Sequence, residues 1–106
     1  MPTRLEALEM MVSKGPNDPF PYYGLALEYR SQGRLDDAVT AFERLRERFP
    51  AYVPQYLMAA QVCQELGRHP EARSWCERGL DVAGAARDGH AAGELESFLS
   101  SLPASP

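Results

Sequence analysis

The sequence has 106 residues, of which 44% are hydrophobic and 25% charged, proportions that fit one small globular domain and not a disordered chain. Fifteen acidic residues against eleven basic ones leave a net charge of −4, which argues against a nucleic-acid partner held by phosphate neutralisation. No stretch approaches the roughly 18 apolar residues of a membrane span, and the opening MPTRLEALEMMVSKGP lacks the continuous apolar run of a signal peptide. A cytoplasmic location, no membrane partner, and thiols instead of a disulfide at Cys63 and Cys76 are therefore expected.

The apolar spacing is helical nearly throughout. Residues 3–14 carry Leu5, Leu8, Met11 and Val12 on one face. The stretch GPNDPFP at 15–21 breaks the chain with three prolines and feeds a second helix, Phe20 to Gln32, that stops at Gly33. A third runs from Arg34 to Phe49 and ends at Pro50, with Leu35, Ala38, Phe42 and Leu45 on one face. A fourth spans Pro54 to Leu66 before Gly67, and Pro70 opens a fifth that reaches about Ala83. A loose GAARDG stretch at 84–89 precedes a sixth helix, His90 to Leu102, and the tail 103–106 is expected to be disordered. No alternating run bounded by turn residues points to a strand, so the fold class is all-α.

An offset of 34 residues brings Tyr22 onto Tyr56, Ala26 onto Ala60, Gly33 onto Gly67, Ala38 onto Ala72 and Arg44 onto Arg78. At these residues the sequence resembles the tetratricopeptide repeat family. The copy at 19–52 reads Tyr22, Leu25-Ala26, Tyr29, Gly33, Ala38, Phe42, Leu45 and Pro50. The copy at 53–86 is looser, with Tyr56, Ala59-Ala60, Cys63, Gly67, Ala72, Cys76, Gly79 and Gly84. The helix at 3–14 resembles the back half of a preceding copy, and 90–102 resembles a capping helix, so that one domain covers residues 1–102. The resemblance implies a right-handed α-solenoid of six helices in antiparallel pairs. In it Ala26, Ala60, Ala38 and Ala72 occupy places where paired helices approach closely, and Tyr22 and Tyr56 point inward.

Nothing resembles a catalytic constellation: no glycine-rich phosphate loop, no GxSxG and no HExxH. In the repeat register Cys63 and Cys76 face each other within one helix pair, which leaves open a disulfide or, with His69, a partial metal site. Burial as small apolar side chains is the expected role. His69 lies six residues past Cys63, about 9 Å along a helix, which weakens a shared site. His69 is expected on an exposed turn and His90 near the start of the last helix. Asp36 and Asp37 fit a helix N-terminus, where the macrodipole favours negative charge. Arg44, Arg46 and Arg48 interleave with Glu43 and Glu47 as a solvated face. No metal, cofactor or enzymatic activity is expected.

The resemblance also implies a function. The first helix of each copy lines a concave groove that holds an extended peptide or a helix. The matching places are Phe20, Tyr23, Gly24, Leu27, Arg30 and Ser31 in the first copy, and Pro54, Leu57, Met58, Gln61, Gln64 and Glu65 in the second. One subset of the family grips a peptide's C-terminal carboxylate with a lysine and asparagines. Those places here hold Tyr23, Leu27 and Met58, so capture of that kind is not expected. The candidate binding residues are Phe20, Tyr23, Leu27, Arg30, Leu57, Met58, Gln61 and Gln64, an apolar groove with a polar rim. The expected role is a protein-interaction adaptor with a protein or peptide ligand. A homo-oligomer using the same face is the alternative, and thiol redox or metal chemistry at the cysteines a distant third. Ten arginines against a single lysine fit a bacterial composition.

Overall fold

A computed structural model describes residues 1–104, and among these every regular element is a helix: α1 (Arg4–Ser13), α2 (Pro19–Ser31), α3 (Leu35–Arg48), α4 (Pro54–Glu65), α5 (His69–Ala85) and α6 (Gly89–Ser101). Each helix packs mainly on its chain neighbours, with α4 also touching α6. The result is a solenoid of helix pairs measuring 45 × 29 × 19 Å. Its radius of gyration of 13.9 Å exceeds the ~13 Å of an equally long globule, as expected of a repeat stack.

Local chemistry sets the helix ends. Thr3 and Glu6 form a reciprocal capping box that starts α1. Asp18 and Asp88 cap α2 and α6 by accepting from Phe20 N and Ala91 N, each at 3.0 Å. The turns after α2 and α4 are near copies. Gly33 and Gly67 adopt φ of +75° and +74°, and the amides of Arg34 and Arg68 donate back to the carbonyls of Tyr29 and Cys63. The turn after α5 closes the same way, Asp88 N to Ala83 O, with Arg87 at φ 55° instead of a glycine.

The core follows the repeat register. Ala26, Ala38, Ala60 and Ala72 are completely buried, and Tyr22 and Tyr56 are each 2% exposed. Cys63 and Cys76 are fully buried free thiols at the places where the family carries aromatics. Burial pushes both thiols up to about 11. Trp75 bridges the copies, its ring 6.4 Å from Phe42 and 5.8 Å from Tyr56. Gly79 is buried where α4, α5 and α6 converge; a Cβ placed there would lie 2.6 Å from Tyr56 Cβ.

Three expectations need correction. The stretch 84–89 is not a loose connection: α5 runs on through Ala85 and α6 begins at Gly89. Arg46 and Arg48 are not simply solvated. The Arg46 guanidinium sits 4.2 Å above the Trp75 ring, and Arg48 donates to Tyr22 Oη at 3.1 Å and to Gly15 O at 3.3 Å. Aromatic faces from other helices lie within their reach, which a single helix pattern does not reveal. His69 is half-buried at the start of α5, not exposed. The tail expected to be disordered, 103–106, lies partly outside the described residues, which end at 104; within them Pro103 O accepts from Arg73 at 3.1 Å.

Candidate functional site

The first helices of the pairs, α2 and α4, present one face together with α6. Two adjoining cavities open on it. The smaller, about 290 Å³, is lined by Tyr23 from α2, by Val53, Pro54, Leu57 and Met58 around the start of α4, and by Asp88, His90, Ala91, Glu94 and Leu95 of α6 and its cap. The larger, about 750 Å³, shares Leu57, His90 and Glu94 and adds Gln61, Gly89, Gly93, Ser97 and Phe98. Together they form a trough with an apolar floor.

Helix periodicity explains the floor. Tyr22, Leu25 and Ala26 turn into the core, which leaves Tyr23 and Leu27 half-exposed on the adjacent face of α2. On α4, Tyr56, Ala59, Ala60 and Cys63 turn inward while Leu57, Met58 and Gln61 remain half-exposed. The Tyr23 ring is held edge-on against Phe42 at 6.3 Å and Tyr52 at 5.3 Å. Tyr52 also receives the Phe20 ring at 6.2 Å, so Phe20, 67% exposed, extends the aromatic surface beyond the cavities. Burial raises the hydroxyl pKa of Tyr23, with a contribution from Tyr52, and raises that of Tyr52, with a contribution from Asp18. Both hydroxyls are therefore held in the neutral form, and Tyr23 lines the smaller cavity. The loop bearing Tyr52 and Val53 is fixed by buried Gln55, whose Nε2 donates to Phe49 O at 2.8 Å and Tyr52 O at 3.1 Å.

The expected polar rim is organised differently. Arg30 reaches across from α2 to α4, donating to Gln61 Oε1 at 3.0 Å and to Glu65 Oε1 at 2.5 Å. Its guanidinium also lies 3.7 Å from Met58 Sδ. Arg30 and Gln61 are therefore bound to each other as part of the groove wall. Their chemistry was legible, but their mutual pairing depends on how adjacent copies stack. Leu27 packs on the core, Gln64 is half-buried, and neither lines the two cavities.

Sequence reasoning missed the contribution of α6. Asp88, His90, Glu94 and Phe98 line the trough, so α6 stands beside α2 and α4 as its third wall. The signal was present but displaced. The starts of α3 and α5 are 34 residues apart, whereas Pro19, Pro54 and Gly89 start the first helices at intervals of 35. At an offset of 34 the inward Tyr56 falls on the exposed His90, and the correspondence disappears.

A stack of paired helices with short glycine turns, small residues at the crossings and an open face on the first helix of each pair defines a helical-repeat protein of the interaction-scaffold class. The tetratricopeptide repeat family model matches residues 23–91, and the chain belongs to that family. It is 30% identical over 98 residues to a TPR repeat-containing protein of Pseudomonas aeruginosa, covering 92% of this chain and 93% of the relative. The solution structure of a tetratricopeptide repeat domain protein from Salinibacter ruber superposes with a TM-score of 0.74 at 29% identity, over 77% of this chain and 83% of that one. A solution structure of a protein from Bordetella parapertussis gives a TM-score of 0.78 at 25% identity, over 94% of this chain and 87% of that one. Repeats of this family generally act as protein–protein interaction modules without catalysis of their own. Among the described residues no helix is long and apolar enough to cross a membrane.

Proposed function

We propose that this protein is a cytoplasmic adaptor that holds a peptide or amphipathic helix of a partner in the trough formed by α2, α4 and α6. The observation that carries the reading is the apolar cavity between Tyr23, Leu57, Met58 and Leu95, open to solvent on the face formed by α2, α4 and α6. An apolar partner side chain enters that cavity, while the surface around Phe20 and Tyr52 receives the adjoining residues. Leu27 and Gln64 flank the path, and the Arg30–Gln61 pair keeps α2 and α4 in register beneath the ligand.

The test is affinity capture from native cells with wild type and with a Leu27→Glu/Leu57→Glu variant shown by circular dichroism to be folded. A prey held by wild type and lost by the variant supports the groove. Identical preys with both proteins move the binding surface elsewhere. Capture of the protein by itself alone, with a mass that rises with concentration in light scattering, makes self-association the function of this face.

A further inference from the structure

The charges around the trough are one-sided. The two cavities are lined by the carboxylates of Asp88 and Glu94, and neither lining includes an arginine or lysine. On the groove wall Arg30 is matched by Glu65 at 2.5 Å, and Arg87, the chain neighbour of Asp88, lines neither cavity. Resting on the groove reading above, we infer that the partner segment is basic: an apolar anchor flanked by arginine or lysine.

The two acids differ in what they offer. Asp88 Oδ1 already accepts from Ala91 N, and the positive end of α6 offsets part of its charge. Glu94 is beyond the first turn of α6, with its side chain 51% exposed and Oε1 3.3 Å from His90 Nε2. It stands at the mouth shared by both cavities, beside Leu57. An arginine or lysine suits that place twice over, since its methylene stem covers apolar floor while its charged head reaches the carboxylate. An acidic segment meets like charge there and leaves carboxylates poorly solvated. The chain's net charge of −4 acts in the same direction during encounter.

The experiment is a selection from a displayed library of random 16-residue peptides on the full-length protein, followed by isothermal titration calorimetry of the enriched peptides. Wild type is expected to enrich peptides of net positive charge carrying an apolar anchor. Their affinity should fall with added salt and drop by about fivefold in Glu94→Gln, less in Asp88→Asn, which keeps the helix cap. Leu57→Glu should abolish binding. Enrichment of neutral or acidic peptides that still need Leu57 overturns the charge inference and leaves the groove intact. Basic peptides that bind Glu94→Gln and wild type equally also overturn it. A library with no binder that depends on Leu57 overturns both readings.

Discussion

Replacing Gly79 by alanine should destabilise the protein, although alanine is the better helix former. Intrinsic propensity alone favours alanine by about 1 kcal/mol inside a helix. The added Cβ, however, would lie 2.6 Å from Tyr56 Cβ and 2.9 Å from Leu95 Cδ1. Carbon atoms prefer roughly 3.5–4 Å, so α5 must retreat from α4 by about 1 Å. The Leu95 methyl can rotate aside; Tyr56 Cβ cannot, being next to the backbone and on a ring whose hydroxyl is bonded to Pro50 O. Overpacking of this kind costs about 1–3 kcal/mol. With the propensity gain subtracted and the rigid contact placed at the upper end, the net loss is about 1–2 kcal/mol. At about 2 cal/mol/K of unfolding entropy per residue, the melting temperature falls by about 5–9 °C. Gly93→Ala, in α6 where nothing lies within 4 Å of the new atom, supplies the control. It should raise the melting temperature by about 2–5 °C through propensity alone. Thermal melts by circular dichroism read both. A Gly79→Ala protein that melts at or above wild type refutes the reasoning.

Arg87→Gly should stabilise by about 1 kcal/mol in denaturant titration, because it relieves a left-handed residue with a Cβ at φ 55°. Ala38→Leu or Ala72→Leu should each cost about 1–3 kcal/mol, since both sites are fully buried at helix crossings; a variant as stable as wild type would dismiss the repeat register. At pH 8 the native protein should react far more slowly with a thiol reagent than the unfolded chain, because burial lifts Cys63 and Cys76 from 9.0 to about 11. The folded state retains those protons where the unfolded state loses them, so stability should also decline as the pH rises from about 9 towards 11.

The fold was legible because its markers are local. Gly33, Gly67 and the paired alanines report backbone geometry at their own positions, and an offset of 34 exposes them together. The apolar floor was legible for the same reason: Tyr23, Leu57 and Met58 sit beside inward residues at helical spacing. What escaped depends on relations between helices. Arg46 on Trp75 and Arg30 against Gln61 join residues 29 and 31 positions apart, which a reading of one helix at a time does not pair. Leu45 and Gly79 occupy the same place in their copies, yet only one leaves room for a side chain, since Tyr56 Cβ, with Leu95 from α6 beside it, crowds the second. The third wall of the groove was lost to a one-residue slip in spacing.

The packing of each helix mainly on its chain neighbours makes the molecule mechanically a short stack of cards. In such a stack opening is favoured at the ends, and lifting α6 would uncover Leu95 and the Gly79 contact while leaving the α2–α3 packing in place. Such opening also removes one wall of the trough, because α6 supplies Asp88, His90 and Glu94. On the groove reading proposed above, readiness to bind is therefore set by how firmly the last card is held. A ligand touching α2, α4 and α6 at once acts as a clip across the stack, and slower amide exchange in α6 reports its presence.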